Sequence, residues 1–261
     1  MPWNPAQYLR FAGQRLRPAL DLLARIPLEN PRTIVDLGCG AGNVTMLLGE
    51  RWPDAHIIGV DSSPDMLGEA RAATRNDPRF TFVAADLALW RPDAPVDLVY
   101  SNAALHWLPD HASLFARVAT MVAPGGALAV QMPDNFRAPS HTLIADIARS
   151  ERWRAQLGGI VREPPVAAPA DYFAWLVPLL RNVDIWLTEY LQVLEPGNDG
   201  EHPVAAWTKG TWLVPFLDAL DDPARAEFLR DYMQRLARHY PARQDGRTLF
   251  PFRRLFIVAN R

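Results

Sequence analysis

The stretch Val35-Asp36-Leu37-Gly38-Cys39-Gly40-Ala41-Gly42 constrains this chain more than any other. It follows an apolar β-branched run, Thr33-Ile34-Val35, and precedes a helix-like segment, Asn43 to Arg51. A second apolar run, His56-Ile57-Ile58-Gly59-Val60, ends in Asp61. That acid lies about 20 residues beyond the glycines, the spacing of a nucleotide-binding βαβ unit. Glycines let a backbone approach a ligand closely, and a helix start offers free N–H groups. A carboxylate at the next strand end can hold two ribose hydroxyls.

The loop also says which nucleotide. A dinucleotide site needs G-x-G-x-x-G after a strand without an acid, so that the pyrophosphate can sit on the helix N-terminus. Here the glycines fall as Gly38-x-Gly40-x-Gly42, and Asp36 stands inside the strand end. A carboxylate there repels a pyrophosphate but suits a ligand carrying an ammonium group. The D-x-G-x-G-x-G pattern resembles the first motif of the Rossmann-like methyltransferases, whose cofactor S-adenosylmethionine ends in an amino acid. Three further features fall in order. Asp61 closes the second strand, Ala85-Asp86-Leu87 closes a third after Phe80-Thr81-Phe82-Val83, and Asp97-Leu98-Val99-Tyr100-Ser101-Asn102 reads as a fourth strand running into the site. Taken singly, each acid has a local alternative: Asp36 as a helix cap, Asp61 capping the Ser62-Ser63-Pro64 turn, Asp86 starting a loop. Cys39 reads as a small residue packed in the loop, not as a nucleophile.

Residues 32 to 132 alternate strand and helix, which specifies a parallel sheet with helices on both faces. Strands are expected at Thr33–Leu37, Ile57–Asp61, Thr81–Ala84, Leu98–Ser101 and Leu128–Gln131, with Pro124-Gly125-Gly126 as the turn before the fifth. Helices are expected at Asn43–Arg51, Pro64–Ala73 and Ala112–Met121. Residues 140 to 181 look helical, with Pro164-Pro165 and Pro169 interrupting them, and Val183 to Tyr190 alternates as a strand. Helices then run to about Tyr240, and Leu255-Phe256-Ile257-Val258-Ala259 closes the chain as a strand.

The expected fold is therefore α/β and Rossmann-like, a mostly parallel seven-stranded sheet with an antiparallel last strand. It is read as a single domain over 1–261. Residues 1–30 form an N-terminal helical lid and 31–133 the cofactor-binding core. Residues 134–250 form cap helices with a sheet strand near 183–194, and 251–261 the last strand. Seven of the nine tryptophans, Trp3 and those from Trp107 onward, lie outside the early sheet, so the cap is the expected substrate chamber.

Composition removes other classes. A net charge of −2 without a long basic run lacks the electrostatic footprint of nucleic-acid binding. The single cysteine excludes an intrachain disulfide and agrees with a reducing compartment. The start Met1-Pro2-Trp3-Asn4-Pro5 has no apolar leader, and no segment approaches the length of a membrane span. A cytoplasmic protein without membrane or nucleic-acid partners, monomeric or weakly dimeric and without a metal, is expected.

Beyond the cofactor motif, further segments carry a resemblance over essentially the whole chain. They are Trp3-Asn4-Pro5, Tyr8-Leu9, Asp61-Ser62-Ser63-Pro64, Trp107-Leu108-Pro109-Asp110-His111, Val130-Gln131-Met132-Pro133-Asp134-Asn135 and Arg254-Leu255-Phe256-Ile257-Val258-Ala259. With them the chain resembles the bacterial trans-aconitate methyltransferases. The resemblance implies a methyl ester made on a carboxylate of trans-aconitate or a similar small acid, using S-adenosylmethionine. One segment departs: where a Gly-Leu-Arg-Pro-like run is expected in the cap, this chain has Trp212-Leu213-Val214-Pro215, so an arginine is missing. Arginine is the preferred bidentate partner of a carboxylate. The departure therefore keeps open a less charged acceptor, or a protein that binds the cofactor without methyl transfer. A nicotinamide-dependent dehydrogenase is disfavoured by Asp36 and the glycine spacing.

The resemblance assigns Asp36, Gly38, Gly40 and Gly42 to the methionine part, and Asp61 with Ser62 to the ribose. It puts Asp86 with Leu87 at the adenine, Met66 either as a cover for it or as a core residue of its helix, and Asn102 and Ala103 beside the sulfonium. For the acceptor, Trp3, Tyr8 and Arg15 are expected in a lid. His106, Trp107, Gln131, Asn135, Lys209, Trp212 and Arg253 or Arg254 are expected to line the acceptor site. Each of these polar residues could instead serve the fold. A carboxylate is already ionised at neutral pH, so no general base and no dedicated catalytic residue is expected.

Overall fold

A computed structural model describes residues 12–197 and 200–261. The first described helix, α1 (Ala12–Ala24), falls in the expected N-terminal helical stretch. Trp3 and Tyr8 lie outside the described residues, as does the side chain of Arg15.

Alternation then sets in as the sequence dictates. Strand β1 (Thr33–Leu37) is followed by α2 (Asn43–Arg51), β2 (His56–Asp61), α3 (Pro64–Ala73), β3 (Phe80–Ala84), β4 (Val96–Asn102), α4 (His111–Thr120) and β5 (Val122–Pro133). Local chemistry starts each helix. Gly42 caps α2 in the left-handed conformation, Ser63 caps α3 with Pro64 at its first position, and Asp110 caps α4 by accepting from the Ser113 N–H. The start of β1 is pinned to β4, because Asp97 accepts from the Arg32 and Thr33 N–H groups at 2.7 and 3.0 Å.

After β5 come α5 (Pro139–Ala148), α6 (Arg154–Leu157), α7 (Pro169–Leu176), β6 (Arg181–Leu194), α8 (Pro203–Lys209), α9 (Val214–Asp218), α10 (Asp222–His239) and β7 (Thr248–Asn260). The seven strands form one sheet in the order β3-β2-β1-β4-β5-β7-β6. The pairs β2–β3, β1–β2, β1–β4 and β4–β5 are parallel, and β7 runs antiparallel to β5. Buried Val, Ile and Leu from β1, β2 and β4 make the sheet core, as expected where helices cover both faces.

Three details differ from the sequence expectation. Pro124-Gly125-Gly126 does not precede the fifth strand but lies within it. Val122 pairs with Val96 and pairing resumes at Ala127 with Leu98, so these residues form an irregularity in a longer strand. The helices expected over 140–181 are interrupted at Pro164-Pro165 as expected, but they also break before Arg154 and end at Gly158-Gly159, and β6 has begun by Arg181. The closing strand starts at Thr248, several residues before its most apolar part.

The chain divides into two compact units. One comprises Arg15–Pro133, Pro165–Thr188 and Arg254–Arg261; the other includes Asp134–Pro164 and Glu189–Arg253. The second has its own core, in which Trp153, Trp207, Phe216, Phe228, Tyr232 and Phe250 are buried with Ile144, Ile147 and Leu236. Trp207 is thus a core residue there, while Trp186 stacks on Phe256 in the first unit at 4.9 Å. Among the described residues, no helix is long and apolar enough to cross a membrane.

Candidate active site

The carboxyl ends of β1, β2 and β4 bring the motif residues of the first unit together. Asp36 is 2 % exposed, and the Thr45 hydroxyl on the first turn of α2 donates to it at 2.7 Å. Burial pushes its carboxyl up to about 7, and the negative charge of Asp61 adds to the shift, while the Thr45 hydrogen bond opposes it. Asp61 accepts from the Gly40 N–H through one oxygen and from the Ser63 N–H through the other, both at 2.9 Å. The glycine loop is thereby clasped to the end of β2.

Two glycines are required for different reasons. A Cβ on Gly38 would fall 2.1 Å from the Ala104 Cβ, at a φ of +79°. Gly40 has φ +55°, and a Cβ there would meet nothing within 4 Å. The loop is therefore packed tightly behind Gly38 and open at Gly40. Cys39 is buried, and burial with Asp36 and Asp61 nearby pushes its thiol up, which leaves it unreactive.

The other expected cofactor residues fall around the same strand ends. Asp86 is exposed just after β3, and one of its oxygens accepts from the Ala88 N–H at 2.8 Å, leaving it otherwise open to solvent. Leu87 is half-buried in the same loop, and Ser62 is exposed beside Asp61. Met66 is 6 % exposed on the first turn of α3. Ala103 adopts a φ of +55°, rare for a residue with a Cβ, and its N–H donates to the Gln131 carbonyl at 2.9 Å. The Oδ1 of Asn102 is buried without a hydrogen-bond partner among the described residues.

This donor set fits a nucleoside that carries an amino-acid end. Acids stand at three successive strand ends, one of them buried where a cation would be welcome. The glycine loop is open on one side, and Asn102 holds a buried acceptor in reserve.

The expected acceptor residues separate into two groups. In the first unit, His106 is buried in a short helical turn, Leu105–Trp107, and Trp107 beside it is exposed. Gln131 is fully buried, and Arg254 is 5 % exposed and donates to it. In the second unit, Asn135 donates to Ser140 and accepts from the Arg253 N–H, while Arg253 pairs with Asp134 at 2.9 Å. Lys209 pairs with Glu201 at 2.6 Å. Trp212 is half-buried, with its ring 4.9 Å from Phe136 and 5.7 Å from His141. Burial holds His141 down at about 3, so it is neutral and packs as an uncharged ring.

A scan against family models finds a methyltransferase domain over residues 34–126. A trans-aconitate 2-methyltransferase of Methylobacterium nodulans is 50% identical, covering 99% of this chain and 98% of its own. The chain belongs to the trans-aconitate 2-methyltransferase family. A second member, from Streptomyces coelicolor, is 49% identical over 99% of this chain and 86% of its own. A solved phosphoethanolamine N-methyltransferase of Haemonchus contortus, complexed with phosphomonomethylethanolamine and S-adenosylhomocysteine, has the same fold. Its TM-score is 0.56 at 16% identity, covering 94% of this chain and 52% of that one.

Two residues of this trans-aconitate 2-methyltransferase family member bear on the site without having stood out in its sequence. Thr45 supports Asp36, and its only signal is a hydroxyl on the first turn after the glycine loop. Arg117, on α4, donates to the Leu87 and Trp90 carbonyls at 2.7 and 2.9 Å and so fixes the loop that carries Asp86. Nothing local in the sequence links residues 27 and 30 positions apart.

Proposed function

We propose that this protein is an S-adenosylmethionine-dependent O-methyltransferase that forms a methyl ester on a carboxylate of trans-aconitate or a closely related small acid. The observation that carries the reading is 50% identity over 99% of the chain to a protein of that name. Asp36, Gly38, Gly40 and Gly42 would hold the methionine part of the cofactor, and Asp61 with Ser62 the ribose. Asp86, Leu87 and Met66 would hold the adenine, and Asn102 and Ala103 would lie beside the sulfonium. When bound, the cofactor supplies an electrophilic methyl group.

The chain's own residues then have a limited task. A carboxylate acceptor needs no proton removed at neutral pH. What remains is to hold its oxygen in line and near, and positioning of that kind can contribute about 7–11 kcal/mol to a displacement. We place the enzyme in the cytoplasm as a monomer or weak homodimer with a small acid as its partner. The single cysteine agrees with that compartment, and the net charge of −2 without a long basic run agrees with a small molecule rather than a nucleic acid as partner.

The test is mass-spectrometric detection of methyl transfer to a panel holding trans-aconitate, isopropylmalate, itaconate, monocarboxylates and longer apolar acids. Turnover on trans-aconitate far above the others is expected. Turnover confined to a less charged acid would show that Trp212 and Val214 mark a different acceptor. Cofactor binding with no turnover on any acid would overturn the enzymatic reading.

A further inference from the structure

A row of polar side chains crosses one face of four adjacent strands in the first unit. Asp36 on β1 pairs in register with Tyr100 on β4, so Asn102, two residues on, shares its face. Asn102 pairs in register with Gln131 on β5. Gln131 lies opposite Phe256 on the antiparallel β7, which puts Arg254 on the same face, diagonal to Gln131. The row Asp36, Asn102, Gln131, Arg254 runs along the carboxyl ends of the parallel strands, where ligands of open α/β sheets bind.

Within this row Gln131 is fully buried, and Arg254 Nη1 donates to its Oε1 at 3.4 Å. A guanidinium has donors only, so it can face only the oxygen of the amide, and the amide nitrogen must turn the other way. That nitrogen, Nε2, is buried and has no hydrogen-bond partner among the described residues. Its neighbour in register, Asn102, holds a buried Oδ1 that also lacks one. Buried amide donors are almost always paired, and the exceptions call for an explanation.

We propose that Gln131 is the specificity-determining donor that receives and orients the acceptor's carboxylate beside the cofactor loop, and that Arg254 is a positioning residue acting through it. The inference rests on the methyltransferase reading and deepens it. A neutral amide donor binds a carboxylate oxygen without clamping it, which leaves that oxygen nucleophilic. Arg254 fixes which end of the amide is presented and places a positive charge behind it. An ionised acid is therefore favoured over its amide or ester.

The experiment compares wild type, Gln131→Met, Gln131→Glu, Arg254→Lys and the double variant Gln131→Met/Arg254→Lys. KM for trans-aconitate, kcat and the calorimetric Kd for S-adenosylmethionine are measured for each. Gln131→Met is expected to raise KM at least tenfold with the cofactor Kd within threefold. Gln131→Glu, which can pair with Arg254 and so keep the fold, is expected to raise KM a hundredfold or more by repelling the acceptor. Arg254→Lys should raise KM in the wild-type background and add nothing to Gln131→Met. KM within twofold of wild type in both Gln131 variants would overturn the assignment. Equal losses of cofactor and acceptor binding would overturn it too, and additive effects would remove Arg254 from the role. Absent wild-type turnover on every acid would overturn this inference together with the functional reading, whereas wild-type turnover with unchanged variants overturns the inference alone.

Discussion

The Asp61 carboxylate and the Gly40 backbone N–H, twenty-one residues apart, meet at 2.9 Å, while the second carboxylate oxygen takes the Ser63 N–H. This side chain thus ties the glycine loop to the end of β2, together with the Gly38 and Cys39 N–H groups, which donate to the Val60 carbonyl at 2.8 and 3.1 Å. Asp61→Ala leaves the Gly40 and Ser63 N–H groups without that partner and removes the charge offered to the ribose. Hydrogen bonds to charged groups contribute about 1.5–3 kcal/mol each, so the cofactor Kd should rise about tenfold or more. Calorimetric titration with S-adenosylmethionine checks this. An unchanged Kd in a folded variant would end the ribose assignment.

Gly38 and Gly40 should respond differently to the same substitution. Gly38→Ala puts a methyl 2.1 Å from the Ala104 Cβ at φ +79°, so both packing and backbone must give. The expected cost is about 2–4 kcal/mol, from overpacking and the left-handed penalty together. Gly40→Ala meets open space and carries only the backbone term of about 1–2 kcal/mol. Urea unfolding should therefore rank Gly38→Ala well below Gly40→Ala, and Ala104→Gly should restore part of the loss in the Gly38→Ala background. Cofactor affinity should fall in Gly40→Ala despite its mild stability cost, because its methyl enters the open side of the loop.

The parts of the site made by local backbone chemistry were legible in the sequence. The glycine loop and the acids at strand ends follow the alternation of strand and helix, so motif and spacing place them. What the sequence could not show depends on where the chain returns. Arg254 reaches Gln131 across 123 positions, and Arg253 turns to Asp134 instead, although the two arginines are adjacent and equally eligible in sequence. Asn135 likewise reads as an acceptor contact, but its amide is engaged by Ser140 and the Arg253 N–H. The break in β5 at Pro124-Gly125-Gly126 has turn chemistry, and only pairing of Val122 with Val96 reveals a strand on both sides of it.

Trp212, which stands where a glycine is expected in the family, has a packing role that can be measured. Its ring lies against Phe136 and the neutral, buried His141. Trp212→Gly should destabilise the protein by about 2–4 kcal/mol through lost contacts and backbone freedom. Thermal unfolding should show a clear drop in Tm, and Trp212→Phe should recover most of it. A Tm within one degree or so of wild type for Trp212→Gly, small beside the several degrees expected per kcal/mol, would mean that the ring contributes nothing to the fold and is free for a ligand.

Asp36 makes stability and cofactor binding depend on pH in opposite directions. Its carboxyl ionises near the ordinary 3.8 in the unfolded chain and at about 7 in the folded one, chiefly because burial disfavours the charge. The unfolded state therefore binds fewer protons between those values, and stability falls as pH rises. The contribution of neutral Asp36 is fully present below about pH 4 and is lost as pH climbs through 7. Between pH 5 and 8 the loss amounts to about 2–3 kcal/mol. Asp36→Asn keeps an acceptor for the Thr45 hydroxyl but cannot ionise, so its urea-unfolding free energy should lack this component. Binding has the other sign. A ligand with an ammonium group favours the carboxylate, so wild-type affinity for S-adenosylmethionine should strengthen from pH 6 to 8 and binding near pH 6.5 should release a proton from Asp36. Calorimetry in buffers of different ionisation enthalpy reads that release directly. Parallel stability curves for wild type and Asp36→Asn, or no proton released, would show that Asp36 is already ionised in the folded protein.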